Sequence, residues 1–139
     1  MNPATHALVG MAIGRFVRKP LLALTAGVAS HALLDCLPHR DGWYPKRRLI
    51  YGSLTVAILT WALNGPNRAA KLAGAVGALL PDVENVPGHE EAPKAKKLFP
   101  SHWFRHDDHS SRHGVAAELL IVAITVAIYL KHSQRSEAG

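Results

Sequence analysis

Residues 20–41 read PLLALTAGVASHALLDCLPHRD, an apolar run opened by Pro20 that holds its imidazole and charged side chains, His31, Asp35, His39, Arg40 and Asp41, at the far end. Proline suits the first turn of a helix, where its missing N–H would have had no partner. The Ala, Leu and Val body shows none of the period-two alternation of a half-buried strand. Pro38 then stops the helix and the polar residues after it read as a loop. Within that helix His31 and Asp35 stand at i and i+4, so both project from one face. An apolar helix interrupted by such residues reads as one packed inside a bundle, and the pair suits two ligands of one cation, a metal-binding His with its orienting carboxylate, or a bond that satisfies a buried His.

Similar punctuation organises the rest of the chain. Asn2-Pro3 pairs an N-cap with a first-turn proline and predicts a helix to about Val17. A third helix is expected over about Arg48 to Leu63, closed by Asn64-Gly65-Pro66, and a fourth from an Asn67 cap to Pro81. Residues 85–100 (NVPGHEEAPKAKKLFP) read as a linker loop. Ser101 is placed to cap a fifth helix that opens on a His-rich turn, with a possible break at Gly114, and ends near Lys131. Residues 132–139 are expected to form a disordered tail. No strand pattern and no internal repeat is evident, so the expected fold is all-α: one domain over 1–139, a compact bundle of about five helices.

Composition bounds the chemistry. The chain has 139 residues, 48% of them apolar, with 16 Lys plus Arg against 10 Asp plus Glu, a formal charge of +6, nine His and one Cys. The apolar runs exclude disorder as the general state. Cys36 has no intramolecular partner, so neither a disulfide framework nor a CxxC metal or redox site is available. The positive charge suits anionic lipid headgroups or nucleic acid. Basic residues are spread over every loop and the few aromatics do not interleave with them, so no nucleic-acid partner is expected. No GxxxxGK[ST], GxGxxG or GxSxG motif occurs, which leaves ATP, Rossmann cofactors and a serine nucleophile without support.

Two runs are candidate membrane spans, giving an expectation of two or more transmembrane helices. Leu49 to Asn67 has a core that would cover about 22 Å as a helix, short of a ~30 Å hydrocarbon layer. Gly114 to Leu130 is comparably apolar but contains Glu118, which needs a partner or an interface if it lies in lipid. Met1 to His6 lacks the basic start of a secretory leader, so no cleaved signal peptide is expected. Under a five-helix layout the loops on the N-terminal side hold nine Lys or Arg and the other side seven, so the charge bias hardly orients the chain. A soluble helix bundle is the competing expectation, and the sequence specifies no oligomeric state.

The candidate chemistry is metal chemistry on His and carboxylate. SHALLDCLPHRD places His31, Asp35, His39 and Asp41 within a short stretch, either as ligands of one cation or as structural bonds that satisfy a buried His. His102, His106, His109 and His113 follow spacings of 4, 3 and 4, one face of a helix; they read either as ligands or as an exposed stripe without metal. Asp107, Asp108 and Glu118 supply oxygens nearby. Pro81-Asp82-Val83-Glu84 sets two carboxylates at a helix end.

These pieces together resemble the membrane-bound metal-dependent hydrolases, a bacterial and archaeal group distantly akin to zinc-dependent phospholipases C. Thr5-His6 with Gly10 is similar to that group's TH-x3-G, Ser30-His31 with Leu34-Asp35 to its SH-x2-LD, Pro38-His39 with Asp41 to a PH-x-D variant, and Pro81-Asp82 to its PD-x-D. Glu84 stands where the usual pattern has a second Asp. The HR-x2-THS element is absent, although Asp108-His109-Ser110 resembles its end. The resemblance implies a helical protein of the prokaryotic inner membrane with a divalent metal site at His6, His31, Asp35 and Asp82.

The expected ligand set therefore comprises His6, His31, Asp35, His39, Asp82, His102, His106 and His109. Zinc is the first expectation for the ion, with Mn, Fe or Ni as alternatives. Asp108 or Glu84 would act as general base and Arg105 or Arg112 would meet phosphoryl oxygens, for hydrolysis of a phosphoester, lipid-derived in one version. The alternative is a non-catalytic membrane protein in which His–carboxylate pairs, or a structural metal, hold helices together.

Overall fold

The computed structural model describes residues 1–37, 45–85, 99 and 112–137, excepting the side chains of 45–48, 84–85, 112–113 and 133–137. Among the described residues it contains five α-helices and no strand: α1 Pro3–Val17, α2 Pro20–Asp35, α3 Pro45–Ala62, α4 Arg68–Leu79 and α5 Arg112–Glu137. A 3-10 turn, Leu80–Asn85, follows α4. Asn2 caps α1 as expected, its side chain accepting from the Thr5 N–H at 3.0 Å. Asn67 does not cap by side chain: it takes a left-handed conformation and its amide nitrogen donates instead to the Arg15 carbonyl oxygen at 3.4 Å.

Helices α1, α2 and α4 make the most intimate contacts, with α3 and α5 packed on α1. Glycine permits that intimacy. A Cβ on Gly10 would meet the Gly74 carbonyl oxygen, one on Gly14 the Ala70 carbonyl oxygen, and one on Gly27 the Gly74 carbonyl oxygen from the other side. Gly74 thus lies between α1 and α2, with backbone against backbone, as small residues allow in tightly packed helices. Along the outer side of α1, Leu8, Met11 and Ala12 form a core with Ala62, Ala75 and Tyr129, edged by Ile58, Leu59, Val122 and Val126.

Contacts at both ends of α1 show that α5 runs parallel to it. Asn2 meets Glu118 at one end and Phe16 packs edge-on against His132 at the other. Glu118 has the partners that the sequence demanded: its Oε1 accepts from the Asn2 backbone N–H at 3.1 Å, the Asn2 amide at 2.5 Å and the Thr5 hydroxyl at 3.1 Å. The helix shows no break at Gly114 and continues past Lys131 to Glu137. No proline interrupts this stretch, and basic residues near a helix C-terminus are favoured by its dipole.

One helix among the described residues, over Gly114–His132, is long and apolar enough to cross a membrane, which corrects the expectation of two or more. α3 falls short because its apolar part, Leu49–Ala62, ends before the Asn64-Gly65-Pro66-Asn67 turn and covers about 21 Å. Large apolar side chains nevertheless cover the outside: Leu33 is 71% exposed, Leu49 78% and Leu119 64%.

Candidate metal centre

Four side chains from three elements meet where α2 and α4 end and α1 begins. His6 lies near the start of α1 and is fully buried, with Thr5 and Ala7 beside it. The last turn of α2 supplies His31 and Asp35, and their shared face points at His6 as the i, i+4 spacing predicts. Asp82 arrives through Pro81, which cannot donate an N–H to continue α4; the chain tightens into the 3-10 turn and brings the carboxylate over the others.

The two imidazoles stack with ring centres 4.0 Å apart and planes 20° from parallel. Asp35 clamps the pair: its Oδ1 lies 3.1 Å from His6 Nε2 and its Oδ2 2.9 Å from His31 Nε2. The α-amino nitrogen of Met1 donates to Asp35 Oδ1 at 3.0 Å. Asp82 Oδ1 is 3.8 Å from His31 Nε2. One ligand atom each from His6, His31 and Asp82 can be chosen so that all lie within 4.8 Å of one another. Both His side chains are fully buried, whereas Asp82 is 24% exposed and forms the open side of the cluster.

Hydrogen bonding decides what the cluster can hold. His31 Nδ1 sits 2.8 Å from the Ala78 carbonyl oxygen. A carbonyl only accepts, so Nδ1 carries the proton, and Nε2 of a neutral ring is then a bare acceptor. That acceptor faces the carboxylates of Asp35 and Asp82, which also only accept. A cation must mediate, either a second proton on His31 or a metal ion. His6 is under no such constraint on its tautomer; its Nε2 approaches Asp35 closely, but neither ring nitrogen has a hydrogen bond of regular geometry. The donor set, two imidazoles with carboxylates, fits a borderline divalent ion. A ligand imidazole whose other N–H is anchored to a backbone carbonyl is the usual supporting arrangement.

In the ion-free protein the protons distribute accordingly. Burial pushes His6 down to about 4, with the Asp35 carboxylate opposing only partly, so this ring is neutral and has lone-pair density to offer. Burial acts the same way on His31, but Asp35 and Asp82 outweigh it and raise the group above its ordinary value. For Asp35 burial opposes ionisation, yet the close approach of the His31 and His6 rings and of the Met1 ammonium holds the carboxyl well below the usual carboxylate range.

Of the residues singled out from sequence, the fold brings together His6, His31, Asp35 and Asp82. His39, His102, His106, His109, Asp108 and Arg105 lie outside the described residues, and Glu84 and Arg112 are placed by backbone alone, in the 3-10 turn and at the start of α5. The Ala78 carbonyl was not foreseen. Its only signal is position, one turn ahead of Asp82 in Gly77-Ala78-Leu79-Leu80-Pro81-Asp82. Comparison with protein-family models, with curated proteins and with solved structures finds no match.

Proposed function

We propose that this protein is a membrane-associated, metal-dependent hydrolase acting on a phosphoester, with His6, His31 and Asp82 as ligands and Asp35 as the carboxylate that holds both imidazoles. The single observation behind this reading is that His31 Nε2, its Nδ1 proton committed to Ala78, faces two carboxylates. A divalent ion, zinc first, would satisfy all three groups at once and supply a water of lowered pKa and neutralisation of phosphoryl charge. Asp35 keeps the rings stacked and their Nε2 atoms turned inward. The partly exposed Asp82 marks the side from which a substrate enters. Asp108 or Glu84 as general base, and Arg105 or Arg112 against phosphoryl oxygens, complete the proposal. Membrane association is supported by α5, an apolar helix of spanning length that is mostly unburied.

The second reading replaces the ion by a proton: His31 as imidazolium between Asp35 and Asp82, a structural clasp in a non-catalytic protein. The raised His31 pKa favours it. Elemental mass spectrometry on detergent-purified chain without a His tag separates the two. The hydrolase reading expects near-stoichiometric metal, lost in a His31→Ala, Asp35→Ala double variant, and metal-dependent turnover of a phosphoester or phospholipid lost in Asp82→Asn. Protein that stays metal-free after incubation with Zn, Mn, Fe and Ni supports the clasp, and metal without turnover assigns the ion a structural role.

A further inference from the structure

At the opposite end of α1 lies a second polar cluster, built only from cations. Arg15, in the last turn of α1, is 3% exposed, and Lys71, in α4, is 1% exposed. The Lys71 ammonium donates to the Asn64 carbonyl oxygen. The Arg15 guanidinium lies 5.0 Å from the centre of the Tyr129 ring, its Nε is buried without a hydrogen bond, and among the described residues its side chain makes no hydrogen bond. Lys71 lies directly against Gly14, the residue before Arg15, where a Cβ on Gly14 would meet the Lys71 Cα, and burial together with repulsion from Arg15 holds Lys71 below its ordinary pKa. Buried charges are ordinarily paired.

Among the described side chains no carboxylate pairs them. Helices α1, α3 and α4 contain no Asp or Glu, the Asp35 of α2 is engaged at the other end, and of the two Glu in α5, Glu118 is bonded to Asn2 and Thr5 there while the side chain of Glu137 lies outside the described residues. Meanwhile α4 begins here without a side-chain cap, leaving its first N–H groups and the positive end of its dipole at the same place. A cation in the first turns of a helix is disfavoured by that dipole, so Lys71 adds to the surplus.

We propose that Arg15, Lys71 and the N-terminus of α4 form a binding site for a phosphate-type anion, either free phosphate or the phosphate of a lipid headgroup. Arg15 provides a planar fork suited to two phosphate oxygens, Lys71 a point charge, and α4 backbone donors. The position fits a headgroup: Tyr129 lies near the end of the Gly114–His132 segment, where aromatic side chains meet the membrane–water boundary. This site is independent of the metal reading.

Trp61, whose ring centre is 4.7 Å from that of Tyr129, reports on the site. The test uses the full chain in neutral detergent, with Trp43 and Trp103 replaced by Phe, titrated with inorganic phosphate or mixed with phosphatidylglycerol or phosphatidylcholine vesicles. Phosphate or phosphatidylglycerol should raise the thermal midpoint by ~5 °C or more and shift Trp61 emission. Lys71→Met, which fits the same volume without charge, should lose the anion effect while remaining folded without anion; Lys19→Gln, an exposed cation at the same end, should keep it. A response to vesicles alone identifies a headgroup, and a response to inorganic phosphate alone a free ion. Wild-type protein insensitive to both, or Lys71→Met as sensitive as wild type, overturns the proposal. If Lys71→Met does not fold, the wild-type titration against the Lys19→Gln control decides.

Discussion

His31 donates from Nδ1 to the carbonyl oxygen of Ala78 across 2.8 Å, a bond between α2 and the last turns of α4. It fixes the ring's tautomer and so turns a bare nitrogen toward Asp35 and Asp82. The candidate chemistry of the protein depends on this one contact, because without it Nε2 could donate to Asp35 and no cation would be required.

Asp35→Asn keeps the shape of the clamp and removes its charge. Metal binding should fall by tenfold to a hundredfold, as loss of a supporting carboxylate typically does. In metal-free protein the same change leaves the protonated His31 and the Met1 ammonium short of a counter-charge, at a cost of ~3–5 kcal/mol. Calorimetric titration with zinc and chemical denaturation check the two effects separately; an unchanged zinc affinity would exclude Asp35 from the site.

Metal-free protein should be most stable near pH 6.5. Below that pH the unfolded His6 takes up a proton that the folded ring, at about 4, resists, so stability falls with acidification. Above it the unfolded His31 has lost its proton while the folded one, its pKa raised, keeps it; that contribution disappears as pH climbs through the folded value. Asp35, held low, adds a further loss once pH drops below the unfolded carboxyl value of 3.8. Denaturation midpoints from pH 4 to 9 give the profile, and His6→Gln should flatten its acid side.

Gly74 and Gly52 should answer oppositely to alanine. At Gly74 a Cβ runs into the Gly10 carbonyl oxygen, which only a separation of α1 from α4 can relieve, costing ~1–3 kcal/mol or more. Gly52 lies in α3 with nothing within 4 Å of its would-be Cβ, so Gly52→Ala should stabilise by ~0.5–1 kcal/mol through helix propensity. Paired melting curves measure both.

Ile124 sits mid-way along the candidate span and is 49% exposed. Ile124→Arg should disfavour insertion by ~2.5–3.5 kcal/mol, so that the share of chain surviving an alkaline wash of membranes drops sharply. Equal recovery of wild type and variant in the soluble fraction would show that α5 does not cross the bilayer.

Helix starts were legible because their signals are local. Asn2-Pro3 and Pro20 opened α1 and α2 at the residues expected, and Asn64-Gly65-Pro66 separated α3 from α4. Asn67 misled because a cap residue and a left-handed turn residue look alike in sequence; the Arg15 carbonyl, brought close by tertiary packing, competes for its side chain. The pairing of His31 with Asp35 was equally readable, being a property of one helix.

By itself the sequence determined an all-helical chain, its breakpoints, the His31–Asp35 pair and the absence of any disulfide or nucleotide motif, since each follows from residues a few positions apart. The motif resemblance grouped His6 and Asp82 with that pair, but only the tertiary structure brought them into contact with it, supplied Ala78 as the fixing acceptor, gave Glu118 its donors and buried Arg15 and Lys71. Those relations span tens of residues and depend on how closely α1, α2 and α4 approach. The approach is set by glycines whose missing side chains carry no chemical pattern of their own, so the sequence shows the gaps without showing what fills them.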